Sequence, residues 1–306
     1  MMEQFLVYND GFKEVGARLE DVCAHDCFRL VVADLDELRS GYDQLFNVKL
    51  EFNEELFNKN RIGPFLEHLG PKVHYGCFCD LDDSGREMRL CFLLTENSFV
   101  LMNWGELTRE QISIWAQRGM LTDPVDLAQI LGLTVLQHHQ ARLEQIEEEM
   151  DHLEVEILKG PRAWQQARII GLHRKVLSLK KSLNLHQSVF NRLADFQPSA
   201  GPALWRDLVS DTQRELDNVR QTHELVENLR EAYQAAVDNR SNDIMKLLTL
   251  MATILLPINL LTSFFGMNFH NMPLLDKPYG LPVFYIVSVL IAAMAFWYFW
   301  RQKWLK

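Results

Sequence analysis

The stretch LLTLMATILLPINLLTSFFGMN, residues 247–268, carries no charged side chain and closes on Gly266-Met267-Asn268. Its first 21 residues, Leu247 to Met267, match the roughly 20 apolar residues that a helix needs to cross a hydrocarbon core. A second uncharged run, Pro278 to Trp300, follows a short polar turn and ends at Arg301. Two such runs within the last 60 residues of the sequence predict a pair of membrane spans rather than buried core helices. Flanking cations orient them. Arg240 and Lys246 precede the first span, and Arg301, Lys303 and Lys306 follow the second. The connecting loop holds Lys277 beside Asp276. By the positive-inside rule both termini face the cytoplasm and the Gly-Met-Asn turn faces outward. Phe296-Trp297-Tyr298-Phe299-Trp300 reads as an aromatic belt at the inner interface.

Two helices cannot enclose a pore within one chain, so a water-filled path requires several copies around an axis. The first span has the pattern of a lining helix. Alternating steps of three and four from Asn242 reach Met245, Thr249, Ala252, Leu256, Asn259 and Ser263, the stripe of a left-handed bundle. Ile244, Leu247, Ile254, Ile258 and Leu261 form an apolar opposite face suited to lipid or to the second span. Polar residues within a span point to function, although Thr249, Asn259 and Ser263 are also the residue types that bond helices together. Pro257 removes one backbone hydrogen bond from the span.

The 306-residue chain has a formal net charge of −10, which argues against nucleic acid as a partner. Met1-Met2-Glu3-Gln4-Phe5 shows neither a basic nor an apolar leader region. The N-terminal part is therefore expected in the cytosol. Five cysteines (Cys23, Cys27, Cys77, Cys79 and Cys91) fit a reducing compartment.

Upstream of the spans, three long helical patterns dominate. The first covers 123–158, opened by Thr122-Asp123-Pro124 and closed by Lys159-Gly160-Pro161. The second covers about 162–196, with Ile169, Leu172, Val176, Leu179, Leu183, Val189 and Leu193 at helical spacing. The third begins near Ala203 and meets no proline or glycine before Pro257, so it runs as one stalk into the membrane. Five short apolar runs, Phe5–Tyr8, Phe28–Ala33, Tyr75–Cys79, Met88–Leu94 and Phe99–Trp104, read as strands, and Thr95-Glu96-Asn97-Ser98 joins the last two as a hairpin. Asp36–Phe46 and Glu54–Leu69 read as helices.

The fold class expected is an α+β cytosolic domain with a mixed sheet, then a stalk helix and two C-terminal transmembrane helices. In residue numbers, the α/β domain is 1–120 and its helical part 121–201. The stalk is 202–246, the pore-lining span 247–267, the external loop 268–281, the second span 282–300 and the basic tail 301–306.

The chain resembles the CorA family of divalent-cation channels. The resemblance rests on Gly266-Met267-Asn268 at the exit of the first of two C-terminal spans, on Asn242-Asp243-Ile244-Met245-Lys246-Leu247-Leu248-Thr249, on Pro257 and on Trp304-Leu305. It implies a homopentameric funnel with a stalk continuous with the pore, and passive Mg²⁺ uptake, often with Co²⁺ and Ni²⁺. Mg²⁺ dehydrates reluctantly, so Asn268 amides from several copies suit outer-sphere recognition of the hydrated ion. Gly266 allows the tight turn there and Met267 packs behind it. Asn259 and Asn242 supply further polar rings, while Met245, Leu248 and Leu256 are candidates for a constriction that gates by dewetting. Asp207, after Trp205-Arg206, stands where the family places an acidic group of an intersubunit regulatory cation site. A solvated surface aspartate is the plainer alternative.

Departures from the family pattern leave the ion open. Phe269-His270-Asn271-Met272-Pro273-Leu274-Leu275 has no acid, and Asp276 arrives late. His270 would bring a pH-dependent charge to the outer mouth. A ZntB-like zinc transporter with proton coupling is the main competitor, and a non-conducting membrane scaffold is a second. Cys23-Ala24-His25-Asp26-Cys27 and Cys77-Phe78-Cys79 lack zinc-site spacing, and His138-His139 reads as a solvated helix face. Glu144–Asp151 likewise reads as solvated, with Ile146 and Met150 in i, i+4 contact. No phosphate loop or nucleophile elbow is present. We therefore expect a transporter rather than an enzyme, with no cofactor and with membrane lipid, divalent cations and its own copies as partners.

Overall fold

The computed structural model describes residues 3–8, 11–14, 27–33, 63–70, 73–81, 87–102, 109–196, 202–267 and 279–302. Seven strands form one sheet: β1 (Glu3–Tyr8), β2 (Gly11–Glu14), β3 (Cys27–Ala33), β4 (Phe65–Gly70), β5 (Val73–Leu81), β6 (Glu87–Thr95) and β7 (Ser98–Met102). Among the described residues the helices are α1 (Arg109–Gln117), α2 (Pro124–Lys159), α3 (Ala163–Phe196), α4 (Pro202–Phe265) and α5 (Gly280–Arg301).

The sheet order is β2-β1-β3-β7-β6-β5-β4. Only β3 and β7 pair in parallel; the other neighbours are antiparallel. The hairpin predicted at 95–98 is present, and the Thr95 hydroxyl donates to the Ser98 carbonyl at 3.1 Å. Both faces of the central strands are buried, which explains why they read as continuous apolar runs. One face holds Val31, Ala33, Val73, Tyr75, Leu93, Val100 and Met102. The other carries Phe78, Phe92 and Phe99, whose rings lie 4.9 and 5.3 Å apart in sequence. Phe78 continues that aromatic layer to Phe190 of α3 at 5.7 Å, and Phe190 to Trp205 of α4 at 6.1 Å.

The helix expected over Glu54–Leu69 is corrected from Phe65 onward, where the chain forms β4. Leu66 is buried and pairs with Gly76, and Glu67 pairs with Tyr75. Sheet pairing outweighs local helix propensity there. Asp36–Phe46 and residues 54–62 lie outside the described residues. The expected strand Phe99–Trp104 is observed to Met102, with Trp104 outside them. Strand β2 and helix α1 were not anticipated.

The start of α2 follows its sequence signal. Pro124 occupies the first helical position, and Asp126 Oδ2 accepts from the N–H groups of Thr122 and Asp123 at 2.8 and 2.9 Å. Asp123 Oδ1 in turn accepts from Val125 N–H at 3.3 Å, so reciprocal capping satisfies several orphan donors.

The chain divides into two compact units, Met1–Glu154 with Gln166–Leu229, and Val155–Gln165 with Arg230–Lys306. The first contains the sheet and most of α2 and α3. The second contains the turn between α2 and α3, the C-terminal part of α4, and α5. Within the second, Tyr233 donates to the Arg162 carbonyl at 3.3 Å and Arg240 to the Pro161 carbonyl at 3.2 Å, tying that turn to α4.

Candidate ion pathway

Among the described residues, two helices are long and apolar enough to cross a membrane, with mean hydropathy of 2.0 and 2.1 over their most apolar windows. They are the C-terminal part of α4 and the whole of α5. Half-buried Ile254, Pro257, Ile258, Leu261 and Phe265 form one stripe of α4. On α5, Phe284, Ser288, Ile291, Ala292, Ala295 and Phe299 form the corresponding protected stripe. Phe265 and Phe284 meet edge to face at 5.9 Å. Small residues along the α5 stripe let helix backbones approach closely.

Asn242, Met245, Thr249, Ala252, Leu256, Asn259 and Ser263 all lie exposed, away from that packed stripe, as does Leu248. Of the residues assigned to the opposite face, Ile254, Ile258 and Leu261 join the protected stripe, while Ile244 and Leu247 stay exposed. The hydroxyl of Thr249 donates to the Met245 carbonyl at 2.8 Å and that of Thr253 to the Thr249 carbonyl at 2.7 Å. These bonds use the hydroxyl hydrogens and leave oxygen lone pairs as acceptors. Pro257 lies inside the helix, and its missing N–H frees the Thr253 carbonyl.

Gly266 ends the helix. Its N–H donates to the Thr262 carbonyl at 2.9 Å. A Cβ placed on Gly266 would lie 3.1 Å from that carbonyl oxygen, so any larger residue crowds the closing turn. Met267 follows and is exposed. Asn268, His270 and Asp276 lie outside the described residues.

Asp207 is exposed on the first turns of α4, next to fully buried Trp205. The acidic stretch of α2 mixes roles. Ile146 and Met150 are buried, Glu149 pairs with Lys175 at 2.8 Å, and Glu147 accepts from Thr222 at 2.7 Å. Glu144, Glu148 and Asp151 are solvated.

The reading of His138-His139 as a solvated face is overturned for His139, while His138 stays partly exposed. His138 Nδ1 lies 2.6 Å from Asp80 Oδ2 of β5, and His139 is buried with Nε2 2.8 Å from the Ser182 hydroxyl of α3. Burial, followed by repulsion from His186, holds the His139 imidazole well below its ordinary pKa. Cys77 and Cys79 are buried in β5, and Cys77 Sγ is 3.2 Å from Cys91 Sγ across the strand pair, as packing thiols rather than a zinc motif. Cys23, His25 and Asp26 lie outside the described residues.

An α/β domain joined through long helices to two C-terminal apolar helices defines a class of two-span membrane proteins. Residues 75–302 match the family model described as CorA-like Mg2+ transporter protein. The chain belongs to that family. It is 32% identical over 167 residues to the cobalt/magnesium transport protein CorA of Thermotoga maritima, covering 53% of this chain and 48% of the relative. It is 25% identical over 164 residues to the protein of the same description from Methanocaldococcus jannaschii, covering 52% of each. The chain thus spans about half the length of the curated relatives it matches. In fold it is similar to the complete CorA magnesium transporter of M. jannaschii, with a TM-score of 0.80, 17% identity and coverage of 99% and 98% of the two chains. It is also similar to the ZntB cytoplasmic domain of Vibrio parahaemolyticus, with a TM-score of 0.61, 11% identity and coverage of 78% and 98%.

Proposed function

We propose that this protein is a divalent-cation channel of the cytoplasmic membrane, conducting Mg²⁺ passively inward, with Co²⁺ and Ni²⁺ as further substrates. The observation that carries the proposal is the exposed polar stripe of α4 leading to Gly266-Met267-Asn268. The names of its relatives support magnesium and cobalt as the ions. In this reading five copies surround an axis, both termini are cytosolic, and the turn after α4 faces outward. Asn268 amides hold the hydrated ion through outer-sphere hydrogen bonds, which suits an ion that keeps its waters. Asn259 and Asn242 repeat that polar contact further in. Met245, Leu248 and Leu256 form the hydrophobic constriction, closed when it dewets. A cation shared by Asp207 and an acid of the adjacent copy steadies the closed state, and its loss at low internal Mg²⁺ releases it.

The test is Mg²⁺ entry into proteoliposomes that enclose a metal-sensitive dye. The parent admits Mg²⁺ without a proton gradient, and Asn268→Ala reduces the flux at least about tenfold, the effect of ~1.4 kcal/mol lost at the filter. A second reading, proton-coupled Zn²⁺ transport, draws on the ZntB-like fold of the N-terminal part. Zn²⁺ flux that needs a proton gradient, with no Mg²⁺ flux, would establish it instead. Absence of flux for every ion tested would favour a non-conducting scaffold.

A further inference from the structure

Beyond the ion pathway, the first compact unit brings three metal-ligating side chains together. His173 lies on α3, and His223 and Glu227 lie one turn apart on α4. One ligand atom from each of the three lies within 4.8 Å of the others. His173 Nε2 is 3.2 Å from Glu227 Oε1, and the two imidazole rings are 5.1 Å apart. All three residues are half-buried. Tetrahedral zinc with bonds of about 2.0–2.1 Å places its ligands about 3.3 Å from one another. The His173–Glu227 separation already matches that, and the remaining ligand atom reaches it by a side-chain adjustment of an ångström or two.

We infer that His173, His223 and Glu227 form a transition-metal site that clamps α3 to α4, with Zn²⁺ as its best ligand and water in the fourth position. Two neutral imidazoles and one carboxylate are a borderline-soft donor set. They favour Zn²⁺, and to a lesser degree Co²⁺ and Ni²⁺, over Mg²⁺, which demands oxygen ligands. The i, i+4 spacing of His223 and Glu227 turns both toward one side of α4. Partial exposure leaves a route for the ion to enter.

The site is independent of which ion the channel conducts, and its test is direct binding. The full chain is purified in detergent, stripped of metal, and titrated with Zn²⁺ against a chromophoric chelator. We expect one Zn²⁺ per protomer that a thousandfold excess of Mg²⁺ does not displace, with X-ray absorption showing two imidazole nitrogens. His223→Gln and the nearly isosteric Glu227→Gln each weaken binding at least tenfold and leave the metal-free melting temperature within a degree or two of the parent. Asn268→Ala leaves this binding unchanged, which separates the site from the ion filter. Zn²⁺ binding of equal strength in the parent, Glu227→Gln and the His173→Gln/His223→Gln double variant would overturn the proposal, as would displacement by Mg²⁺.

Discussion

His186 of α3 shows how a single buried side chain ties the sheet to the helices. Its Nε2 accepts the backbone N–H of Cys79 at 3.2 Å, and its Nδ1 lies 2.9 Å from the Ser182 carbonyl. That arrangement requires the neutral tautomer with the proton on Nδ1. Burial lowers the His186 pKa to about 4, and His139 beside it is lowered by the same cause. Asp80 and His138 face this pair from β5 and α2, and Arg142 adds a positive charge near His139. Because these folded-state pKa values lie below the unfolded value near 6.5, the unfolded chain binds more protons between the two. Stability is therefore full above pH ~6.5 and is lost as pH falls toward about 4, by on the order of 3 kcal/mol for His186 alone. Urea unfolding of the full chain in detergent between pH 7 and 4 should show the midpoint falling across that window, with a shallower fall in His186→Gln. A midpoint insensitive to pH there would contradict the buried neutral pair. No local pattern around His138-His139 distinguishes a surface pair from this one, because Asp80 lies 58 residues and Ser182 lies 43 residues away in sequence. His223 and Glu227, one helical turn apart on α4, were not singled out in the sequence, and His173 joins them only through the packing of α3 on α4.

The long helices were legible from their caps, their apolar spacing and the proline breaks between them. The sheet was legible where its strands carry an apolar run, as in β1, β3, β5, β6 and β7. Strand β4 reads locally as part of a helix and is a strand because β5 offers it a ladder partner. Packing between helices turns on Gly132 of α2. A Cβ there would lie 2.8 Å from the Phe190 ring of α3 and 3.2 Å from Leu208 of α4. Phe190 is held in turn by Phe78 and Trp205, so it has little room to yield. Gly171 of α3 has nothing within 4 Å of the corresponding position. Gly171→Ala should thus stabilise by up to ~1 kcal/mol through helix propensity. Gly132→Ala, despite the same propensity gain, should destabilise by roughly 1 kcal/mol because overpacking costs about 1–3 kcal/mol. Chemical denaturation of the two variants measures both signs, and equal gains would show that the three-helix contact yields freely.

At the scale of the molecule, the second compact unit leaves much apolar surface open. Leu255 is 56% and Leu260 72% exposed on α4, and Val289 and Met294 are similarly exposed on α5. Lipid can cover these side chains. It cannot solvate the exposed Asn259 amide without a cost of several kcal/mol. Facing copies of the same stripe around a water-filled axis meet that cost, which supports the proposed homopentamer. Native mass spectrometry in mild detergent should give five times the protomer mass of 35.7 kDa. A monomer or dimer under those conditions would remove the axis on which the ion pathway depends. By itself the sequence determined two long apolar helices, their preceding helical stalk and a glycine-terminated signature, because hydropathy, helical period and turn chemistry are local properties. Only the tertiary structure decided that β3 pairs in parallel with β7, that His139 and His186 are buried and neutral, that one stripe of α4 meets α5, and that His173 faces His223 and Glu227. Each of these depends on residues far apart in the chain, whose meeting is settled by burial and pairing rather than by their immediate neighbours.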